Sequence, residues 1–487
     1  MAVEINPRQS GPDLATMDAN SLRKLWSKTV TLCEQEEDFF KTFEGNRTDS
    51  CIATVYDTAK GAGQEITFTA LGGFYGKGKH GSSNFELATD YEKLNIKSSK
   101  LVVDWVRNGY RHDLRMEDYM GMRHELVNHV PENFGRWEGR LKTWAMWMMF
   151  REKGGSTNRF IGSGRATKDA LVSADTLSYD DIVAAATILK QRGAKAAYAG
   201  KVGKNIVKRF IVAAAQTGLR SIKTDPNYLD ALQEAGPDNM SNLLFTGGYA
   251  DVDGHMLVEY DDIDHGEDGP TGSVITPRIR IKDAITAGNT TFDITGGTGD
   301  TNILYTQAFP NYDFQFNASD VLSVSGSPTD FYVAIVNPAN AATDPGKIGF
   351  YKCSTNNGNK ITVSERLGSV ANGIRNTTVG SVTWDTGVWS GKHTATHPAG
   401  AMAYLCNAKG VPIGWSLVMG ANAARRGYGQ FVNHRATDEK EAGFVQESYI
   451  WTVFGQNPVH RMDGEYPNFM LVQHAIDYAG VPFPTVT

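Results

Sequence analysis

Along residues 64–71 hydrophobic and polar positions alternate: Ile66, Phe68 and Ala70 fall on one face, Glu65, Thr67 and Thr69 on the other. A period of two predicts a β-strand. Residues 93–103 place Leu94 and Ile96 between Lys93, Asn95 and Lys97, ahead of the β-favouring run Leu101, Val102 and Val103. Between these arms stand Gly72, Gly73, Gly76, Gly78 and Gly81. That connection is too long for a two-residue turn and too rich in glycine for a helix. The pattern predicts a long two-armed projection over 61–104 with a basic tip at Lys77, Lys79 and His80. A two-stranded ribbon is marginal in water and has two free edges. It therefore lies either on a neighbouring copy or back on its own domain as a flap.

The period lengthens to three and four residues after Pro131 and Glu132, where Trp137, Leu141, Trp144, Ala145, Met148 and Met149 recur before Gly154 and Gly155. This predicts a helix on the order of 30 Å long. A stripe of Trp and Met reads as packing, so Trp137, Leu141, Trp144 and Met148 are expected as the core of a rigid spine. An amphipathic stretch over 22–43 predicts helix for part of a polar N-terminal arm, residues 1–60. Ser178 or Asp180 caps a helix running through Lys190. Further helices are expected over 205–216, 228–235 and 416–424, and strands over 255–260, 401–407, 443–455 and 469–476.

The texture changes at the acidic, turn-rich stretch 261–272 (DDIDHGEDGPTG). Residues 271–400 hold nine basic and nine acidic side chains and almost no helical period. Short strand-like runs recur there at 291–294, 312–316, 321–324, 331–336, 348–353, 361–364 and 382–389, which predicts an inserted all-β domain, a sandwich or small barrel.

Composition narrows the function. With 48 basic and 54 acidic residues the net charge is −6, and no basic block suits a sequence-reading nucleic-acid binder. Cys33, Cys51, Cys353 and Cys406 show no paired spacing, which fits free thiols. No apolar run approaches the length of a membrane span, and the polar N-terminus carries no secretory signal pattern. Residues 76–81 spell G-x-G-x-x-G without the helix start that a dinucleotide site needs. Residues 73–79 spell G-x-x-x-x-G-K, but His80 stands where a Ser or Thr is required. His124, Glu125 and His129 are spaced one residue too far for a zincin. Asp251, Asp253, Asp261, Asp262, Asp264, Glu267 and Asp268 lack EF-hand spacing and read as a solvated acidic loop. No catalytic constellation, cofactor site or metal site is expected.

Four stretches, in this order, resemble tailed-bacteriophage major capsid proteins, whose fold is shared with herpesvirus capsids and encapsulin shells. They are 65–104 as an extended loop, 136–150 (RWEGRLKTWAMWMMF) as a spine helix, 242–262 (NLLFTGGYADVDGHMLVEYDD), and 417–430 (LVMGANAARRGYGQ) with the terminal strands. The resemblance covers roughly 50–262 and 400–480 and leaves 271–400 outside it. It implies an α+β capsid fold: N-terminal arm 1–60, extended loop 61–104, peripheral domain with spine helix 105–178, axial domain 179–270 and an axial/peripheral C-terminal part 401–487, with the inserted β-domain 271–400 read from its own pattern between them. It also implies that the projection meets a neighbouring subunit through Phe68, Leu71, Gly72, Gly73, Phe74, Tyr75, Lys77, Lys79, Leu94 and Ile96. Hexamers and pentamers would then enclose packaged double-stranded DNA without reading its sequence. Portal, scaffolding and decoration proteins are the other implied partners, and no membrane is involved. Two alternatives are a glycan-acting enzyme with an appended β-domain and an encapsulin-type compartment.

Overall fold

A computed structural model describes residues 29–46, 49–56, 65–71, 96–113, 123–154, 158–172, 174–202, 205–234, 255–260, 272–273, 278–280, 291–293, 331–336, 348–356, 360–370, 402–407, 411–429, 433–436, 445–459 and 468–476. It combines helices with several sheets, an α+β arrangement. The chain divides into two units: residues 1–44, 54–144 and 426–457 form one, and 45–53, 145–425 and 458–487 the other.

The first unit is built on the strand Val445–Pro458, whose 14 residues accommodate several neighbours. Asp104–Asp113 runs antiparallel to it, from Asp113 opposite Val445 to Asp104 opposite Phe454. Asn433–Ala436 pairs with its first half, and Ala424–Tyr428 lies beside it, followed by Ile52–Tyr56. The last of these strands falls within the stretch read from sequence as a poorly patterned arm. Side chains alternate across the central strand: Ile450 joins Val30, Val130 and Phe134 in one cluster, while Val453 joins Ile66, Leu101 and Val103 in another.

The long helix spans Arg123–Gly154, 32 residues, or ~48 Å at 1.5 Å per residue. It starts earlier than the sequence predicts, with Pro131 inside rather than at its first turn. A proline there removes one backbone hydrogen bond. The flanking residues Val130 and Phe134 are buried against Val30 and Ile450, and that packing offsets the loss.

A helix over 29–37, followed by a 3-10 turn at Phe39–Phe43, lies directly on the long helix. Gly135 and Gly139, one turn apart, permit the approach. A Cβ at Gly135 would stand 2.5 Å from the Val30 carbonyl oxygen, and one at Gly139 would stand 2.7 Å from that of Glu34. Backbone atoms cannot rotate aside, so Gly139→Ala is expected to cost about 2 kcal/mol, read from urea denaturation midpoints.

In the second unit a six-stranded sheet runs in the order Arg159–Ile161, Phe469–Ala475, Ile413–Met419, Asn205–Ala215 and Ala197–Val202, with His255–Tyr260 also paired to Asn205–Ala215. Helices Tyr179–Gln191, Gln216–Lys223 and Pro226–Glu234 bury Ile182, Leu189, Leu219, Ile222 and Tyr228 with Val212, Val418, Met470 and Val472. On the opposite sheet face Phe150 meets Phe469 and Arg151 lies over the Trp415 ring. All seven residues of Ile413–Met419 and of Phe469–Ala475 are buried.

Two expectations are corrected here. Residues 205–216, read as a helix, form the strand Asn205–Ala215, and the helix begins at Gln216. Residues 416–424, also read as a helix, are the end of strand Ile413–Met419 and a turn holding Asn422 at φ 54°. Strands covered on both faces carry continuous apolar runs with no period of two, and such runs mimic a buried helix. The helix capped by Ser178 is present as expected: its side chain accepts from the Asp181 N–H, and Asp181 accepts in return from the Ser178 N–H.

Strands Gly272–Ser273, Arg278–Arg280, Met402–Cys406, Phe331–Val336, Ile348–Asn356, Lys360–Val370 and Thr291–Asp293 form a seven-stranded antiparallel sheet in that order. Met402–Cys406, beyond the predicted limit of 400, is integral to it. The expected runs at 312–316, 321–324 and 382–389 lie outside the described residues.

Candidate functional site

The two arms of the projection pair antiparallel, Glu65 opposite Val102 through Leu71 opposite Ile96, with Phe68 opposite Ser99. At their root, Ile66 is 5 % exposed and Leu101 2 % exposed, and both pack with Val103, Val453 and Val55. Two glycines accept this root. A Cβ at Gly455 would overlap the Val102 carbonyl oxygen, and one at Gly427 would stand 2.6 Å from Leu101 Cδ2. The opposite face of the root faces water: Glu65 and Lys100 pair at 2.6 Å while exposed, and Val102 is 55 % exposed. The root is therefore anchored to its own unit. Gly72, Gly73, Phe74, Tyr75, Lys77, Lys79 and Leu94 lie outside the described residues.

Beyond the root, Asp104–Asp113 presents Trp105 at 54 % exposure and Tyr110 at 41 %; opposite Val453 and Ser448 respectively, they lie on different faces of the strand. Large aromatics at such exposure are characteristic of surfaces that meet a partner. The residues expected as the helix core divide by depth: Leu141 and Trp144 are buried, and Trp137 is half-buried against the Val30 cluster. Met148 lies on the helix, but its side chain is outside the described set.

A cluster of buried charge, invisible in the sequence, fixes residues 29–44 to this unit. Lys142 lies 2.8 Å from Glu34 and 2.7 Å from Glu138. Burial opposes its charge, yet the carboxyls of Glu138 and Glu34 outweigh burial and hold the ammonium well above its ordinary range. Arg426 donates to Asp38 and Glu44, with Asp38 also accepting from the Thr143 hydroxyl at 3.0 Å. Burial likewise opposes the guanidinium charge, and the carboxylates of Asp38 and Glu44 outweigh it. Lys41 pairs with Glu44 at 3.1 Å, and Lys41 and Lys142 both lie over the Tyr428 ring. These partners stand up to 388 positions apart in the chain. Apart from Lys41 at its edge, the cluster is closed to solvent and positions structure rather than substrate.

One pair imitates a hydrolase dyad. His474 Nδ1–H donates to the Ala475 carbonyl at 2.9 Å, and its Nε2 accepts from the Ser416 hydroxyl at 3.0 Å. Both side chains are buried, with Gly218 and Gly414 close against the ring. Burial lowers the His474 pKa to about 4. The unfolded chain takes up this proton below about 6.5, the folded chain only near 4. Stability is thus complete above the unfolded value and falls as pH drops through that window, by about 2 kcal/mol at about pH 5. Denaturation of the His474→Asn variant across this range should show a shallower pH slope than the parent.

Among the described residues, no group of His, Cys, Asp and Glu could hold a metal ion. His129 is exposed and 3.4 Å from Glu132, while the acidic stretch 251–268, apart from the strand His255–Tyr260, and the glycine run 76–81 lie outside the described residues. Cys33, Cys51 and Cys406 are free thiols. No described helix is long and apolar enough to cross a membrane.

No family model and no curated protein matches the sequence. Solved structures do match the fold. The capsid of Ralstonia phage GP4 aligns over 100% of both chains with a TM-score of 0.50 at 11% identity. The chain has the phage capsid fold. The head structure of Helicobacter pylori bacteriophage KHP40 aligns over 91% of each chain at TM-score 0.51 and 10% identity. The cyanophage Pam1 capsid covers 90% of this chain and 92% of its own, at TM-score 0.50 and 11% identity. At such identities the likeness to phage capsids is one of fold, carried by the order of helices and sheets.

Proposed function

We propose that this chain is a major capsid protein, self-assembling into hexamers and pentamers that close an icosahedral shell around packaged double-stranded DNA. The full-length likeness to the Ralstonia phage GP4 capsid carries the reading. In it, residues 1–60 are the N-terminal arm and 61–104 the extended loop. The spine helix and peripheral domain occupy 105–178, the axial domain begins over 179–270, and 401–487 is divided between the axial and peripheral domains. The β-rich 271–400 segment faces outward as a decoration or inter-capsomer contact.

The physics of the ribbon supports this assignment. Its root is anchored by Ile66 and Leu101, while two free strand edges call for a partner and closure of a shell removes them. Each contact can be weak because every subunit makes many. A net charge of −6 leaves an enclosing wall that does not adhere to DNA. Portal, scaffolding and decoration proteins are the further partners of such a shell, which resides in the virion after synthesis in the host cytoplasm.

The basic tip, Lys77 and Lys79, would meet acidic groups of the next subunit. Charge reversal of both to Glu is expected to lower the yield of closed particles at least tenfold without changing the subunit's melting temperature. Normal particle yield would remove the tip from the interface. Hydrolysis or binding of glycans by the purified chain would instead favour an enzyme, and capture of a cargo peptide an encapsulin-like compartment.

A further inference from the structure

Four carboxyls meet three cations where residues 29–44 lie on the long helix. The carboxyls are Glu34, Asp38 and Glu44 from the segment and Glu138 from the helix; the cations are Lys41, Lys142 and Arg426. Glu138 and Arg426 are fully buried, Lys142 is 1 % exposed, Asp38 2 % and Glu34 4 %. Tyr428 contributes a neutral phenol to the same cluster, its ionisation opposed by burial. At the rim Glu37 faces Arg140 at 3.3 Å and Arg136 at 3.8 Å, where water screens all three. One negative charge inside is therefore in excess, and an uncompensated buried charge is far more costly than a protonated acid.

We propose that docking of residues 29–44 takes up one proton, held on the carboxyl of Glu138, which makes the segment a clasp set by pH. Glu138 is the group suited to it. It shares Lys142 with Glu34, and the Thr452 hydroxyl approaches it from the neighbouring strand. Burial raises its pKa, Lys142 pulls it down, Glu34 pushes it up again, and the balance lies above the ordinary value. When the segment leaves, Glu34, Asp38 and Glu44 leave with it and water enters. Lys142 then remains beside Glu138 without Glu34, and Glu138 releases its proton to solvent.

The direction follows from the raised value. Docking is tightest below the pKa that Glu138 has with the segment released, and weakens as pH rises through its higher docked value. One proton gives a slope of up to tenfold in the docking equilibrium per pH unit. The clasp does not depend on shell formation, so its failure would leave the capsid reading untouched.

Hydrogen exchange of the full chain tests this, with the protection of amides 30–43 corrected for intrinsic rates between about pH 5 and about pH 9. Protection should fall by up to about tenfold per unit as pH rises from the released toward the docked value of Glu138 and level off above it, and E138Q, which keeps an uncharged isostere, should hold the segment without that slope. The infrared carbonyl band of a protonated carboxyl should be present at the acid end of this range, fade together with protection as pH rises, and be missing in E138Q. Should E138Q fail to fold, the slope and the band of the parent chain decide. Protection independent of pH, the same slope in E138Q, or no protonated-carboxyl band would each overturn the proposal.

Discussion

Arg426→Met is expected to destabilise the first unit by about 4 kcal/mol, because it strands buried carboxylates rather than merely deleting a contact. Arg426 has no exposure, donates to Asp38 and Glu44, and approaches the Lys142 carbonyl at 3.3 Å and Gln456 Oε1 at 3.4 Å. Methionine fills most of the volume but offers no charge, and water cannot reach the orphaned oxygens. The triple variant Arg426→Met, Asp38→Asn, Glu44→Gln should recover most of the loss, since neutral partners tolerate burial far better. Urea denaturation measures both variants, and trypsin cleavage after Lys41 reports whether residues 29–44 have come away. A loss under about 1 kcal/mol for the single variant would mean that water reaches this cluster and screens it.

Gly455→Ala is expected to be the most damaging single-methyl change at the ribbon root, about 3 kcal/mol, with loss of assembly. The added Cβ would collide with the Val102 carbonyl oxygen and stand 3.0 Å from its carbon, and neither backbone atom can rotate away. Relief requires the arm to lift, exposing Ile66, Leu101 and Val103. Gly427→Ala provides the contrast. Its nearest atoms are the Leu101 Cδ2 and Ile66 Cδ1 methyls, which can change rotamer, so about 1 kcal/mol is expected. Equal effects from the two substitutions would contradict the close backbone approach at Gly455.

Local pattern was enough to locate the ribbon, the long helix and the Ser178 cap, because each depends on residues close together in the chain. The alternation around Ile66 puts Glu65 and Thr67 in water and Ile66 in the core, as the structure has it. Long-range facts were hidden. Residues 210–215 of the strand Asn205–Ala215 and all of Ile413–Met419 are buried on both faces, so their apolar runs carry no alternation to separate strand from helix. Gly135 and Gly139 inside a helical period look like weak points, until the backbone of residues 29–37 is seen resting on them. Lys142 and Arg426 look like surface cations among many. Their partners, Glu34 and Asp38, lie over a hundred positions away or more, and no spacing rule connects them. The ribbon root also showed a split role that its sequence did not: anchored inward through Leu101, yet with Val102 and Trp105 turned outward.

Electron microscopy of the purified full-length chain tests the central claim most directly. The account predicts closed, regular shells built of hexameric and pentameric units, in which the edges of the 61–104 ribbon lie against a neighbouring copy. A particle population that stays monomeric at every concentration, with the whole ribbon resting on its own subunit, would contradict it.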